Sequence, residues 1–238
     1  MFRQYTIYNG LLTNLSSKKL LINTINAHSF NVANKDRFFK EALLESDILL
    51  PDGISIVLAT QLLSGKRISK IAGEDLFYYQ INKLQKTKGK AFFLGSNEST
   101  LNKISNRINS EFPNIKCETY SPPFKSEFSE KENKDIRTAI NTFQPDVLFI
   151  GMTAPKQEKW AYQHFKDLKV GHVCCIGAVF DFYAGTVNRA PKWVITIGME
   201  WLYRLIKEPI RLWRRYLVGN TRFVLAIFKE RLSKNKYL

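Results

Sequence analysis

Over the first 190 residues, short apolar runs alternate with segments of helical spacing, and this alternation restricts the fold more than any other feature. KKLLINTI, SDILLPDG, KAFFLGS, IKCETY, DVLFIGM and HVCCIGAVFDF read as strands. Between them lie DRFFKEALLES, ISIVLATQLLSG, EDLFYYQINKLQKTKG, ESTLNKISNRINSEF, KENKDIRTAINTF and PKQEKWAYQHF, all patterned as helices. Gly89 stands near the C-cap position of the third of these helices. Regular alternation of this kind predicts an α/β fold: a mostly parallel sheet with helices on both faces. Such sheets bind ligands beyond the carboxyl ends of their strands. The loops there carry Asn26, Asp52, Gly95, the Ser121-Pro122-Pro123 run, the Gly151 loop and Gly177.

The last fifth of the chain differs from the rest. It reads as two or three amphipathic helices, with Pro209 suited to the first turn of one of them. The expected division is therefore an α/β core, 1–190, and a helical appendage, 191–238. The whole chain has a formal net charge of +15. From Lys192 to Leu238 there are eleven Lys and Arg against three acids, a net +8, together with Trp193, Trp201 and Trp213. A segment both basic and aromatic suits an anionic membrane surface or a nucleic acid. Arg204, Arg211 and Arg214, spaced by seven and three, share one face if the helix is continuous.

No run approaches the roughly 18 apolar residues of a spanning helix. The opening MFRQYTIYNG lacks a signal-peptide apolar region, so the expected location is the cytoplasm. Cys117, Cys174 and Cys175 form no CxxC pair, and the adjacent two read as small buried hydrophobes.

Several positions admit both an ordinary and a chemical reading. Asp52-Gly53 after a strand is a turn signal, and it is also a carboxylate at a strand end. Within hydrogen-bond reach of a sugar hydroxyl, Asp52 can act as general base. In TINAH, Thr24, Asn26 and His28 alternate and would face one side if the strand continued. They are either a polar strand end with caps or the polar wall of a sugar or nucleotide pocket. GMTAPKQE, residues 151–158, is either a plain strand-to-helix connection or an anion site at a helix N-terminus, with Lys156 and Gln157 as donors. Asp181 has a structural reading as a partner of Arg189.

No GxGxxG follows the first strand, and HExxH, GxSxG and a DxD triplet are absent. A metal-independent mechanism with no cofactor follows, in which Arg and Lys neutralise a leaving diphosphate.

TINAH, PDGISIV, IAGEDLF, SPPF, GMTAPKQEKW, GAVFDFYAGTVNRAPKW and GMEWLYRLIKEPIRLWRRYL occur in this order. By this series, running from about Leu21 to Arg222, the chain resembles the WecG/TagA/CpsF family of bacterial glycosyltransferases. The resemblance implies a Rossmann-like core with a membrane-docking C-terminal appendage. It implies inverting, metal-independent transfer from a UDP-sugar to an undecaprenyl-diphosphate-linked saccharide, on the inner face of the plasma membrane. N-acetylmannosamine or its uronic acid is the implied sugar, and teichoic acid, common antigen or capsule synthesis the implied use.

Carried over by residue, Asp52 becomes the base, with Thr24 and Asn26 in its pocket. Gln157 becomes a substrate contact, and Arg204, Arg211 and Arg214 close over the diphosphate. His28, Gly95 and Lys156 join the expected substrate-binding set from their strand-end positions. Lys70 stands where many relatives carry Arg, which keeps the charge and loses the bidentate fork. Self-association as a dimer is also implied. Transfer of another hexose is the alternative within the family. A nucleic-acid-binding protein is the rival outside it, disfavoured by the tryptophans of the basic segment.

Overall fold

The computed structural model describes residues 1–234, so the final four residues of the expected appendage, 235–238, lie outside the described residues. Six strands form one parallel sheet in the order β2-β1-β6-β5-β3-β4. They are β1 (Leu20–Ile25), β2 (Ile48–Pro51), β3 (Lys90–Gly95), β4 (Lys116–Tyr120), β5 (Val147–Gly151) and β6 (His172–Cys175). The connecting helices are α1 (Ala27–Ala33), α2 (Arg37–Leu44), α3 (Ile54–Ser64), α4 (Gly73–Thr87), α5 (Glu98–Glu111), α6 (Glu130–Phe143) and α7 (Lys156–His164). After β6 come α8 (Val179–Tyr183), α9 (Lys192–Thr196), α10 (Glu200–Lys207) and α11 (Pro209–Trp213). A π turn (Arg214–Val218) then leads into α12 (Gly219–Lys234).

Period-two side-chain direction sorts the strands' apolar residues onto both faces. On β3, Ala91 and Phe93 join α4, α5 and α8 through Leu76, Ile104 and Phe180. Phe92 and Leu94 point the other way, toward Ile136, Ile140 and Trp160 of α6 and α7. Fully buried side chains on both faces explain why the strands read as near-continuous apolar runs. Cys174 and Cys175 are wholly buried, one on each face, as the sequence suggests.

A third cluster crosses the expected boundary at 190. Phe223 and Ile227 of α12 pack against Phe2, Tyr5, Phe30 and Ile56. Phe30 and Phe223 meet edge-on, 5.2 Å between ring centroids. Glu230 accepts from the backbone N–H groups of Phe2 (2.6 Å) and Arg3 (3.0 Å). The appendage is thus packed into the core beside the β1–β2 edge.

One local expectation is corrected and three are made definite. The last strand stops at Cys175, because Gly177 turns left-handed (φ 54°) and 179–183 wind into α8. Lys88 (φ 53°) takes the left-handed C-cap of α4, and Gly89 follows it directly, near the C-cap as expected, with its N–H donating to Leu84 O at 3.0 Å. The strand bearing Thr24 ends at Ile25, as KKLLINTI reads, and Asn26 caps α1, so of the two readings of TINAH the structure gives the polar strand end with caps. The tail is several helices, with Pro209 starting one as expected. Glu208 (φ −135°, ψ 61°) breaks the chain before it and the π turn shifts the register again, so the continuity on which a shared face of Arg204, Arg211 and Arg214 depended is absent.

Candidate active site

Asn26 accepts from the N–H groups of His28 and Ser29, both at 3.0 Å, and its own N–H donates to Ser29 Oγ at 2.7 Å. This reciprocal cap fixes the start of α1 and puts His28 in its first turn. On the neighbouring strand, the Asp52 N–H donates to Ile25 O at 2.9 Å. Gly53 then turns the chain at φ 110°, a conformation costly for any residue with a Cβ, and α3 begins. Two adjacent strand ends therefore present Asn26, His28 and Asp52 together.

These three line a cavity of about 530 Å³, walled by α3, α9, α10, the π turn and α12. Lys70, Arg204 and Arg215 also line it, as do Glu200, Trp201 and Tyr216. Trp201 and Tyr216 pack with ring centroids 6.2 Å apart, joining α10 to the π turn.

Burial pushes the Asp52 carboxyl above the usual carboxylate range, and the nearby Glu200 charge adds to it. A hydrogen bond from Asn26 and the charges of Lys70 and Arg215 pull the other way. Burial, with Arg215 beside it, brings the His28 imidazole down to about 4, so it is neutral at pH 7. Burial likewise lowers the Arg215 guanidinium from its ordinary value. Its Nε is buried without a hydrogen-bond partner. A desolvated cationic donor left open is costly unless an anion completes it.

The other expected residues sit elsewhere. Thr24, opposite Leu50 on β1, is half-buried and outside the cavity lining. Gln157 is buried, and its Oε1 accepts from Met152 N–H (3.3 Å) and Gly177 N–H (3.1 Å). Its Nε2 donates to Glu158 at 2.9 Å, so Gln157 ties the β5 and β6 loops together. Lys156 donates to Lys125 O at 2.5 Å and lies 3.5 Å over the Phe128 ring. Gly95 (φ 117°) lies against Gly151 of β5, where a Cβ would come within 2.6 Å of the Gly151 carbonyl oxygen.

Gln157, Lys156 and Gly95 thus gather at β3 and β5. There the chain order reverses: β3 leads outward to β4, and β5 leads back to β6. Arg211 pairs with Glu208 at 2.5 Å, and the exposed Arg214 lies over Trp213 at 5.2 Å. Neither lines the cavity, so Arg204 shares it with Arg215 instead. The basic doublet Arg214-Arg215 was the available signal; the break at Glu208 alters helical phase ahead of it, and Arg215 is the member that lines the cavity. Asp181 does not pair with Arg189, whose partners are Glu74 and Glu200.

Among the described residues, no group of three or more His, Cys, Asp or Glu is placed to hold a metal ion, and no helix is long and apolar enough to cross a membrane.

A carboxylate at a strand end shares one cavity with Lys70, Arg204 and Arg215, an arrangement suited to group transfer by an α/β enzyme. The comparison with known proteins gives the same class. The model of the Glycosyl transferase WecG/TagA/CpsF family matches residues 6–237, and the chain belongs to that family. It is 33% identical over 221 residues to the N-acetylglucosaminyldiphosphoundecaprenol N-acetyl-beta-D-mannosaminyltransferase of Bacillus subtilis, covering 91% of this chain and 82% of that protein. A protein of the same name from Bacillus spizizenii is 32% identical over 82% of this chain and 74% of its own length. One from Staphylococcus aureus is 24% identical, over 94% and 86%. The chain is a glycosyltransferase.

Proposed function

We propose that this enzyme transfers N-acetylmannosamine, or its uronic acid, from a UDP-sugar to an undecaprenyl-diphosphate-linked saccharide. The names of the relatives supply the acceptor class and the sugar. The observation that carries the reading in this chain is the cavity itself, where Asp52 lies with Lys70, Arg204 and the open Nε of Arg215. An acceptor joining a hydroxyl to a diphosphate fits that pairing of base and cations.

In this mechanism Asp52 takes the proton of the acceptor hydroxyl as its oxygen attacks the anomeric carbon. The bond from that carbon to the UDP oxygen breaks, UDP leaves with the electron pair, and configuration inverts. Lys70, Arg204 and Arg215 hold the acceptor diphosphate, and neutral His28 and Asn26 orient the sugar. The donor lies toward the β3/β5 reversal. Backbone N–H groups near Gly95 and the loop tied by Gln157 meet its diphosphate, with Lys156 and Thr24 in supporting positions. Arg211 and Arg214 remain outside, available to the membrane surface or to a closed form. No cofactor enters the scheme.

The appendage docks on the anionic inner face of the plasma membrane. Ile206, Ile210, Trp213 and Leu217 are exposed beside its basic residues, as such docking needs. A homodimer off the membrane completes the scheme; nucleic acid has no place in it. The test incubates the protein with a panel of UDP-sugars and a short-chain prenyl-diphosphate N-acetylglucosamine, followed by mass analysis. Addition of one N-acetylhexosamine or its uronic acid is expected. No transfer from any donor would overturn the reading.

A further inference from the structure

The cavity is two-sided, and the cationic chemistry uses only one side. The other side is a groove between α3 and α12. Leu58 and Leu62 face it from α3, and Val224 and Phe228 from α12. These four side chains are 56%, 37%, 46% and 53% exposed, an unusual investment of apolar surface next to three cations. Asp52 precedes the start of α3 and Arg215 precedes the start of α12, so these four apolar residues lie farther along the two helices, and their exposure opens this part of the cavity to the surface. A free sugar offers such a wall little apolar surface. An amphiphile whose diphosphate is bonded directly to branched hydrocarbon matches both sides at once.

We infer that the α3–α12 groove is a binding subsite for the first isoprene units of a prenyl diphosphate. The inference rests on the lipid-diphosphate reading of the acceptor above. The groove holds the hydrocarbon nearest the head group, drawn out of the bilayer, and so fixes the distance from the diphosphate to Asp52. Its residues are distinct from the outward-facing Leu225, which is 63% exposed and does not line the cavity.

The test is calorimetric and needs neither donor nor vesicles. Wild-type protein is titrated with farnesyl diphosphate, dimethylallyl diphosphate and inorganic diphosphate. Farnesyl diphosphate is expected to bind about tenfold or more tightly than inorganic diphosphate, as apolar contacts of this size allow. Leu58→Gln and Phe228→Gln should remove most of that advantage and leave inorganic diphosphate binding unchanged. Leu225→Gln, which also removes apolar surface from α12, should keep it. Both groove positions are more than half exposed, so a thermal melt close to wild type accompanies the expected result.

Equal affinity for the three ligands would overturn the inference, as would an advantage that survives both groove variants. Altered self-association in the groove variants with unaltered farnesyl diphosphate binding would assign the groove to a second copy of the chain, and overturns it too. If wild type prefers farnesyl diphosphate but transfers no sugar, the functional reading fails while the subsite stands.

Discussion

Arg189 donates its Nε hydrogen to Glu200 at 3.2 Å, and its guanidinium also pairs with Glu74 of α4. One side chain therefore joins the core to α10, the helix that carries Arg204 and Trp201 into the cavity. The three partners are 19–26% exposed, so the network is better shielded than a surface ion pair. It also holds Glu200, whose charge raises the Asp52 carboxyl.

Releasing Glu200 should therefore be visible in the chemistry. Arg189→Gln is expected to move the acid limb of the pH–rate profile upward, because the Glu200 charge that raises the Asp52 carboxyl loses its partner. Arg189→Lys, which keeps a charge but loses the fork, should give a smaller shift. A profile unmoved by either variant would reduce Arg189 to a packing role.

Asp52 itself gives the sharpest result. Asp52→Asn removes the base and keeps the shape, so kcat should fall by about 10²–10⁴-fold with UDP binding intact. Burial holds the Asp52 carboxyl above the ordinary carboxylate range. Wild-type activity should accordingly fade on acidification at a higher pH than an exposed aspartate would give. Near-normal turnover of the Asn variant removes Asp52 as the base.

The sheet was legible because buried parallel strands must be apolar on both faces, and Phe92 and Phe93 record both. Asp52 was legible as a strand-end position, because Asp-Gly after an apolar run marks where the chain turns; its reading as a base came from the ordered series of motifs, not from the local pattern. Arg215 was not. Its placement depends on a π turn and on the break at Glu208, which shift helical phase without marking the apolar pattern. Gln157 looked like a ligand contact by type; in the fold its acceptor oxygen is already occupied by two backbone N–H groups. The cluster joining Phe2 to Phe223 was invisible for another reason: pairing across the length of the chain leaves no local periodicity.

Glu158 lies beneath the Gln157 loop tie, 2% exposed, with Oε2 unpartnered. Burial pushes its carboxyl up to about 7. Between the ordinary carboxylate range and that value, the folded state keeps a proton that the unfolded chain has released. Stability must therefore fall as pH rises through this window. The shift corresponds to roughly 3 kcal/mol at most. Glu158→Gln keeps an acceptor for the Gln157 amide and has no charge to bury. It should match wild type at pH 5 and exceed it at pH 8 in denaturant melts. Parallel stability curves for the two proteins would contradict a buried, proton-retaining Glu158.

The appendage is expected to stabilise the core and to bind membrane through different residues. Phe223 and Ile227 are 2% and 4% exposed and complete the cluster around Phe2 and Phe30. Phe223→Ala should cost about 3–5 kcal/mol. Deleting 191–238 uncovers the same cluster and should lower the melting temperature at least as far, with new binding of a hydrophobic dye. Ile210 and Leu217, 92% and 52% exposed, stand apart from that cluster. Ile210→Gln with Leu217→Gln should leave the melt unchanged and weaken flotation with vesicles containing anionic lipid. A double variant that floats like wild type would move membrane contact to another face. One that melts early would show that these side chains serve the core, and that docking and stability cannot be separated along this segment.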